Sequence, residues 1–170
     1  IHDGPGIRLN VFFKGCPLHC QWCHNPEGQD PLPGLIFNQA RCLGCGACKD
    51  HTLPDACPSG ALETCGAWMD VNQVLLTAVR EKIFFDRSGG GITCTGGEPL
   101  MQPEFLVNLL AACRENGIHT AVDTCLYAPE TVLLQVIPHT SLFLADLKVM
   151  DPALHKQYTG ADNALIHNNL

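Results

Sequence analysis

Cys16, Cys20 and Cys23 stand in a C-x3-C-x2-C spacing, a loop short enough to wrap three thiolates around one metal centre. The number three is informative. A structural zinc site closes with four protein ligands and an ordinary electron-transfer cluster takes four Cys, so three in a tight loop leave one iron of a [4Fe–4S] cluster open to a ligand. The spacing alone leaves two alternatives, a zinc knuckle that borrows His19 or His24, and three unliganded thiols. A second run, Cys42-x2-Cys45-x2-Cys48 with Cys57-Pro58 after it, has the x2 spacings and Cys-Pro ending of a bacterial ferredoxin segment.

Composition sets the context for these thiols. Eleven cysteines in 170 residues, with no signal-peptide pattern and no apolar run near the roughly 18 residues of a membrane span, point to a cytoplasmic protein that uses Cys for metal. Ten Lys and Arg against 17 Asp and Glu give a net charge of −7, so nucleic acid is not an expected partner, and neither is a membrane. The 46% apolar content is enough for a core. The chain starts at Ile1 and ends at Leu170 inside what reads as an opening helix from Asn163, so a fragment is expected.

The elements that must position the chemistry alternate. Residues 7–13 read as a buried strand that enters the Cys-rich loop at Gly15. Residues 26–68 hold many of the Pro and Gly breakers and show no sustained period, which reads as an inserted small module. Asp70 N-caps a helix carrying Val71, Val74, Leu75, Ala78 and Val79 on one stripe. Strands follow at residues 92–95, 118–123 and 142–147, with helices opened by Pro103, after Pro129, and behind Asp151-Pro152. Strand-helix alternation predicts a parallel α/β sheet, whose strand C-terminal ends share one side and hold the site. At those ends stand the Cys loop, Thr95-Gly96-Gly97-Glu98-Pro99, Asp123-Thr124, and Asp146 with Lys148. Gly96 and Gly97 would let a ligand approach the backbone, or simply make a tight turn. Asp146 and Lys148, two apart on the predicted strand, would point the same way, toward a ligand or into a structural ion pair. The apolar stripes, Cys113 included, read as core, and Cys94 and Cys125 as filling core or loop space.

These residues resemble the radical S-adenosylmethionine enzymes, and within them the glycyl-radical-enzyme activating enzymes, over nearly the whole chain. The resemblance rests on Asp3-Gly-Pro-Gly-Ile-Arg8, the Cys loop ending Trp22-Cys-His-Asn-Pro-Glu27, Ser88-Gly-Gly-Gly91, Thr95-Gly-Gly-Glu-Pro99 and Leu144-Ala-Asp-Leu-Lys148. It implies a partial (βα)6 barrel, here truncated to about four βα units over residues 1–28 and 69–170, with a ferredoxin-like insert at 29–68. It implies that the open iron binds S-adenosylmethionine, whose reductive cleavage gives a 5′-deoxyadenosyl radical that abstracts hydrogen from a glycine of a partner enzyme. No side chain then serves as acid or base. By the same resemblance Trp22, Cys23 and His24 flank the cofactor, and Gly96, Gly97 and Glu98 lie along it, with Gly97 at its amino group. Asp146, Leu147 and Lys148 hold its ribose and methionine end. Asp123, the backbones of Thr124 and Leu144, and Asp146 match a monovalent-cation site, and Asp3 stands where the partner's glycine loop binds.

Related activases with such an insert carry two auxiliary clusters on eight cysteines, and this chain departs from them. The gap between Cys48 and Cys57 is longer than the ferredoxin spacing, so the expectation is one auxiliary [4Fe–4S] cluster on Cys42, Cys45, Cys48 and Cys57, with Cys65 spare and a zinc module as the alternative. The implied partners are a glycyl radical enzyme and a flavodoxin or ferredoxin reductant. Two other functions stay open: a ferredoxin-like electron carrier or metal-binding module, and a radical enzyme acting on a small molecule.

Overall fold

The structure is a computed structural model and describes residues 3–170. Its centre is a four-stranded, all-parallel sheet in the order β1 (Arg8–Phe13), β4 (Gly91–Gly96), β5 (His119–Thr124), β6 (Leu142–Ala145). A separate antiparallel ribbon pairs β2 (Gly34–Phe37) with β3 (Leu62–Cys65). The ribbon lies where no alternation was read from the sequence, because Gly34, Leu35, Ile36 and Phe37 are all exposed and so carry no in-out pattern.

The helices are α1 (Val71–Ser88), α2 (Pro103–Glu115), α3 (Glu130–Val136), α4 (Pro152–Thr159) and α5 (Ala164–Asn168). The start of α1 is a capping box in which Asp70 accepts from the Gln73 N–H at 2.9 Å and Gln73 accepts from the Asp70 N–H at 2.8 Å. It stops at Gly89, whose φ of 69° is a left-handed cap that Gly adopts without strain. Val74, Ala78 and Phe85 face inward, whereas Val79, expected on the same stripe, is exposed. Pro103 opens α2, whose Leu106, Leu109, Leu110 and Cys113 are fully buried.

Side chains alternate across a strand, so the register divides the sheet into two unlike faces. One face presents Val11, Phe13, Ile92, Cys94, Val122 and Phe143 to the core beneath the helices. The other presents Arg8, Asn10, Phe12, Thr93, Thr95, His119 and Asp123, where Phe12 is 62% exposed while Thr93 is fully buried. The turn from Asp3 folds back over this face. Thr93 donates to the Asp3 carbonyl at 2.6 Å, and Asn10 donates to the Asp3 carboxylate at 2.7 Å. No described helix is long and apolar enough to cross a membrane.

Candidate functional site

The strand C-terminal ends meet as the alternation predicts, and a cavity of about 100 Å³ lies among them. Its wall includes Cys16, Cys20, Trp22, Cys23 and His24 from the loop after β1, and Thr95, Gly96 and Gly97 from β4. Asp123, Thr124 and Cys125 come from β5, and Asp146 and Lys148 from beyond β6. That volume is below the ~300–1,000 Å³ of ordinary small-molecule sites.

The Cys loop is held from two sides. Gly15 N–H donates to Gly28 O at 2.8 Å and Cys16 N–H to Gln29 O at 3.1 Å, while His19 N–H donates to Thr159 O at 2.7 Å and Gln21 N–H to Tyr158 O at 3.0 Å. Burial is the leading cause that pushes the thiols of Cys16 and Cys20 above the ordinary range. Three soft thiolate donors on one short loop suit an iron–sulfur cluster or zinc. His19 is not in the cavity wall and its Nδ1 lies 3.3 Å from Gln29 Oε1, which leaves His24 as the imidazole on the wall. Among the described residues no three His, Cys, Asp or Glu groups converge tightly enough to share one ion. Cys16, Cys20 and Cys23 all line the one cavity.

The structure adds detail at four of the expected positions. First, β6 ends at Ala145, so Asp146 and Lys148 lie in the loop past the strand and not on it. They still meet, as a Lys148–Asp146 ion pair on the cavity wall, while Leu147 between them is exposed and outside it. Burial opposes the charge of Lys148, but the contact with Asp146 and its attraction outweigh that and raise its pKa. Second, the close approach at Gly96 and Gly97 is to the chain itself. Gly96 has φ 105°, and a Cβ there would meet Phe13 N at 2.6 Å, while one on Gly97 would meet Gly28 O at 2.6 Å.

Third, Glu98 does not reach the cavity. It is 1% exposed, and its carboxylate accepts from Thr124 Oγ1 at 2.7 Å, the Cys125 N–H at 2.8 Å and the Leu100 N–H at 3.0 Å. Glu98 thus staples the end of β4 to the end of β5, although burial pushes its carboxyl up against these bonds. Fourth, Asp3 belongs to a network with Asn10 and Thr93 on the polar sheet face. Asp123 accepts from Thr95 Oγ1 at 2.7 Å, and its carboxyl is raised chiefly by burial and then by the nearby Asp146 and Asp3.

In the 29–68 segment a second cavity, of about 320 Å³, is walled by Cys42, Cys45, Cys48 and Cys57 together with His51 and Phe37. The Cys57 thiol is lowered to about 7, first by Ser59, whose Oγ lies 3.7 Å from its Sγ, and then by backbone N–H groups led by Leu62. Cys65 is not in this wall. It lines a third, larger space of about 530 Å³ with Trp68, Met69 and Phe105 that gathers no other thiol. Cys94 and Cys113 are buried in the core, and Cys125 is buried at the cavity.

Sequence reasoning missed the hydroxyls of Thr95 and Thr124 as holders of Asp123 and Glu98, for which strand-end position was the available signal. It also missed His155, Thr159 and Asn163, buried polar residues behind the Cys loop, whose only signal is polarity on the inner side of α4 and its turn.

The family model for a 4Fe-4S single cluster domain matches residues 2–135. The chain is 41% identical over 197 residues to the choline trimethylamine-lyase activating enzyme of Oleidesulfovibrio alaskensis, covering all of this chain and 64% of that protein. It is 40% identical over 199 residues to the isethionate sulfite-lyase activating enzyme of Nitratidesulfovibrio vulgaris, covering all of this chain and 65% of that one. The chain therefore spans somewhat less than two thirds of the length of these relatives. In fold it is similar to Streptococcus suis SuiB, solved with its precursor peptide SuiA, at TM-score 0.57 and 17% identity over 93% of this chain and 28% of that one.

Proposed function

This chain belongs to the 4Fe-4S single cluster domain family, and we propose that it is a radical S-adenosylmethionine activating enzyme that acts on a glycyl radical enzyme. The observation that carries the reading is one cavity shared by three thiols of a short loop and by the Asp146–Lys148 pair. Cys16, Cys20 and Cys23 would hold a [4Fe–4S] cluster, and their number leaves one iron for S-adenosylmethionine. When bound, the cluster and S-adenosylmethionine supply one-electron cleavage to a 5′-deoxyadenosyl radical that takes hydrogen from a glycine of the partner.

The chain's own groups bind and orient. Trp22 and His24 form the rim beside Cys23, and the Gly96-Gly97 backbone lines the adjoining wall. Asp146 and Lys148 offer a carboxylate and an ammonium to the hydroxyl and carboxylate ends of the cofactor. Asp123 and Asp146 oppose each other electrostatically, and a monovalent cation between them would relieve that repulsion. Glu98 acts behind them by holding Thr124 and Cys125. Asp3, on the polar sheet face, is read as a contact for the incoming glycine loop.

In architecture, residues 1–28 and 69–170 are read as about four βα units of a partial (βα)6 barrel, whose polar sheet face is the barrel interior. Residues 29–68 are read as a ferredoxin-like insert with one auxiliary cluster on Cys42, Cys45, Cys48 and Cys57, supplied by a flavodoxin or ferredoxin in the cytoplasm.

The test is anaerobic reconstitution with iron and sulfide, followed by EPR of the reduced protein with and without S-adenosylmethionine and an assay for 5′-deoxyadenosine. A changed spectrum and nucleoside release are expected. A spectrum indifferent to S-adenosylmethionine would instead favour the electron-carrier reading, in which every iron already has its protein ligand.

A further inference from the structure

Behind the cavity, three polar side chains are buried where α4 turns into α5: His155 and Thr159 at 0% exposure and Asn163 at 2%. Such groups are costly inside a protein unless their hydrogen bonds are made. Here the bonds of His155 and Thr159 close the end of α4 on itself, with His155 Nε2 left unpartnered, while those of Asn163 reach the loop after Lys148.

Nδ1 of His155 lies 2.6 Å from the Ala161 carbonyl, which only accepts, so Nδ1 carries the proton. Thr159 Oγ1 lies 3.0 Å from that nitrogen and donates to the His155 carbonyl at 2.8 Å. Together with the left-handed Gly160, at φ 88°, these bonds fix how α4 ends. A helix end leaves carbonyls without intrahelical partners. At α4 the carbonyls of Tyr158 and Thr159 are met by the N–H groups of Gln21 and His19, in the loop that carries Cys20 and Cys23. The rings of Tyr158 and Trp22 lie 6.0 Å apart beside them. From the same corner, Asn163 Nδ2 donates to the carbonyls of Val149 at 3.0 Å and Met150 at 2.8 Å, immediately after Lys148.

We propose that His155, Thr159 and Asn163 are positioning residues that set the cysteine loop and the Asp146–Lys148 loop in one fixed relation. His155 and Thr159 act on the first loop through the end of α4, and Asn163 acts on the second. None touches the cavity, so their effect is on the placement of Cys20, Cys23, Asp146 and Lys148. The proposal rests on the functional reading above for the identity of what is positioned.

The first measurement needs no metal. Hydrogen exchange by mass spectrometry on the metal-free chain reads the N–H groups of His19 and Gln21 directly. His155→Ala and Thr159→Val are expected to speed exchange in residues 17–22 by about tenfold while β4 and β5 keep wild-type protection. His155→Asn, which keeps a donor near Nδ1, is expected to restore much of it. Asn163→Ala is expected to loosen residues 146–150 and leave 17–22 alone. In the reconstituted protein, Asn163→Ala should raise about tenfold the S-adenosylmethionine concentration that half-converts the EPR spectrum, with the iron of the 42–57 site retained. Faster exchange spread evenly over the sheet, or unchanged exchange in both segments, overturns the proposal. Should wild type itself show no spectral response while the exchange pattern holds, the functional reading falls and the corner's positioning role stands.

Discussion

Removing the Glu98 carboxylate should unfasten β5 from β4 at the cavity. Its oxygens accept from the Leu100 N–H, the Cys125 N–H and Thr124 Oγ1 in a setting 1% exposed. In Glu98→Ala the Thr124 hydroxyl can rotate to another acceptor, but the two backbone N–H groups cannot move. Each buried donor left unpaired costs about 1–3 kcal/mol, so the variant should lose about 2–6 kcal/mol. That is a large part of the ~5–15 kcal/mol that holds a domain folded. Glu98→Gln keeps one oxygen for Leu100 and Thr124 and sets an amide donor against the Cys125 N–H, so one bond is lost, about 1–3 kcal/mol. The sign of the pH dependence follows from the raised carboxyl. The folded chain holds this proton to higher pH than the unfolded chain, so the associated stability is complete below the unfolded value of about 4.3 and is lost as pH rises through the folded value. The stability gap between wild type and Glu98→Gln should thus be widest at acid pH and narrow toward neutrality. Urea unfolding of the metal-free, reduced chain across that range measures it. A loss under about 1 kcal/mol for Glu98→Ala refutes the staple, and a gap that widens with pH refutes the raised carboxyl.

Three further outcomes follow from the same geometry. Reconstituted protein should hold about eight irons per chain, falling toward about four in Cys42→Ser/Cys45→Ser and staying near eight in Cys65→Ser, since Cys65 lies outside the auxiliary wall; iron analysis decides it. Lys148→Ala should raise the KM for S-adenosylmethionine about tenfold with little change in thermal unfolding, because the pair it breaks is half-exposed on the Asp146 side; equal losses in both would count against a binding role. Leu109→Ala, in the middle of α2 at 0% exposure, should cost about 2–5 kcal/mol by calorimetry and leave the iron content of the folded protein unchanged.

The parts legible in the sequence were those fixed by local patterns. Asp70, Pro103, and Asp151-Pro152 mark helix starts because caps satisfy N–H groups within a few residues, and the structure places all three there. The gathering of the Cys loop, Gly96-Gly97, Asp123 and Asp146 was also legible, because parallel strands bring their C-terminal ends to one side whatever the loop details. What escaped depended on partners distant in the chain. Glu98 reads as one more residue of a loop that approaches a ligand, and only the meeting with Thr124 and Cys125, 26 and 27 residues on, turns it into a buried staple. Asp146 and Lys148 were placed on a strand because Leu142 to Ala145 continues smoothly into Leu147. Their backbone leaves the sheet after Ala145, and the ion pair keeps them together. His155 escaped for another reason. Its side chain meets Ala161 and Thr159 within its own helix end, and it is fully buried although Lys156 and Gln157 beside it are exposed. What spacing does not carry is that the backbone carbonyls of Tyr158 and Thr159 in the same turn meet a loop more than 130 residues earlier, because propensity acts over a few residues and chain crossing leaves no trace in it.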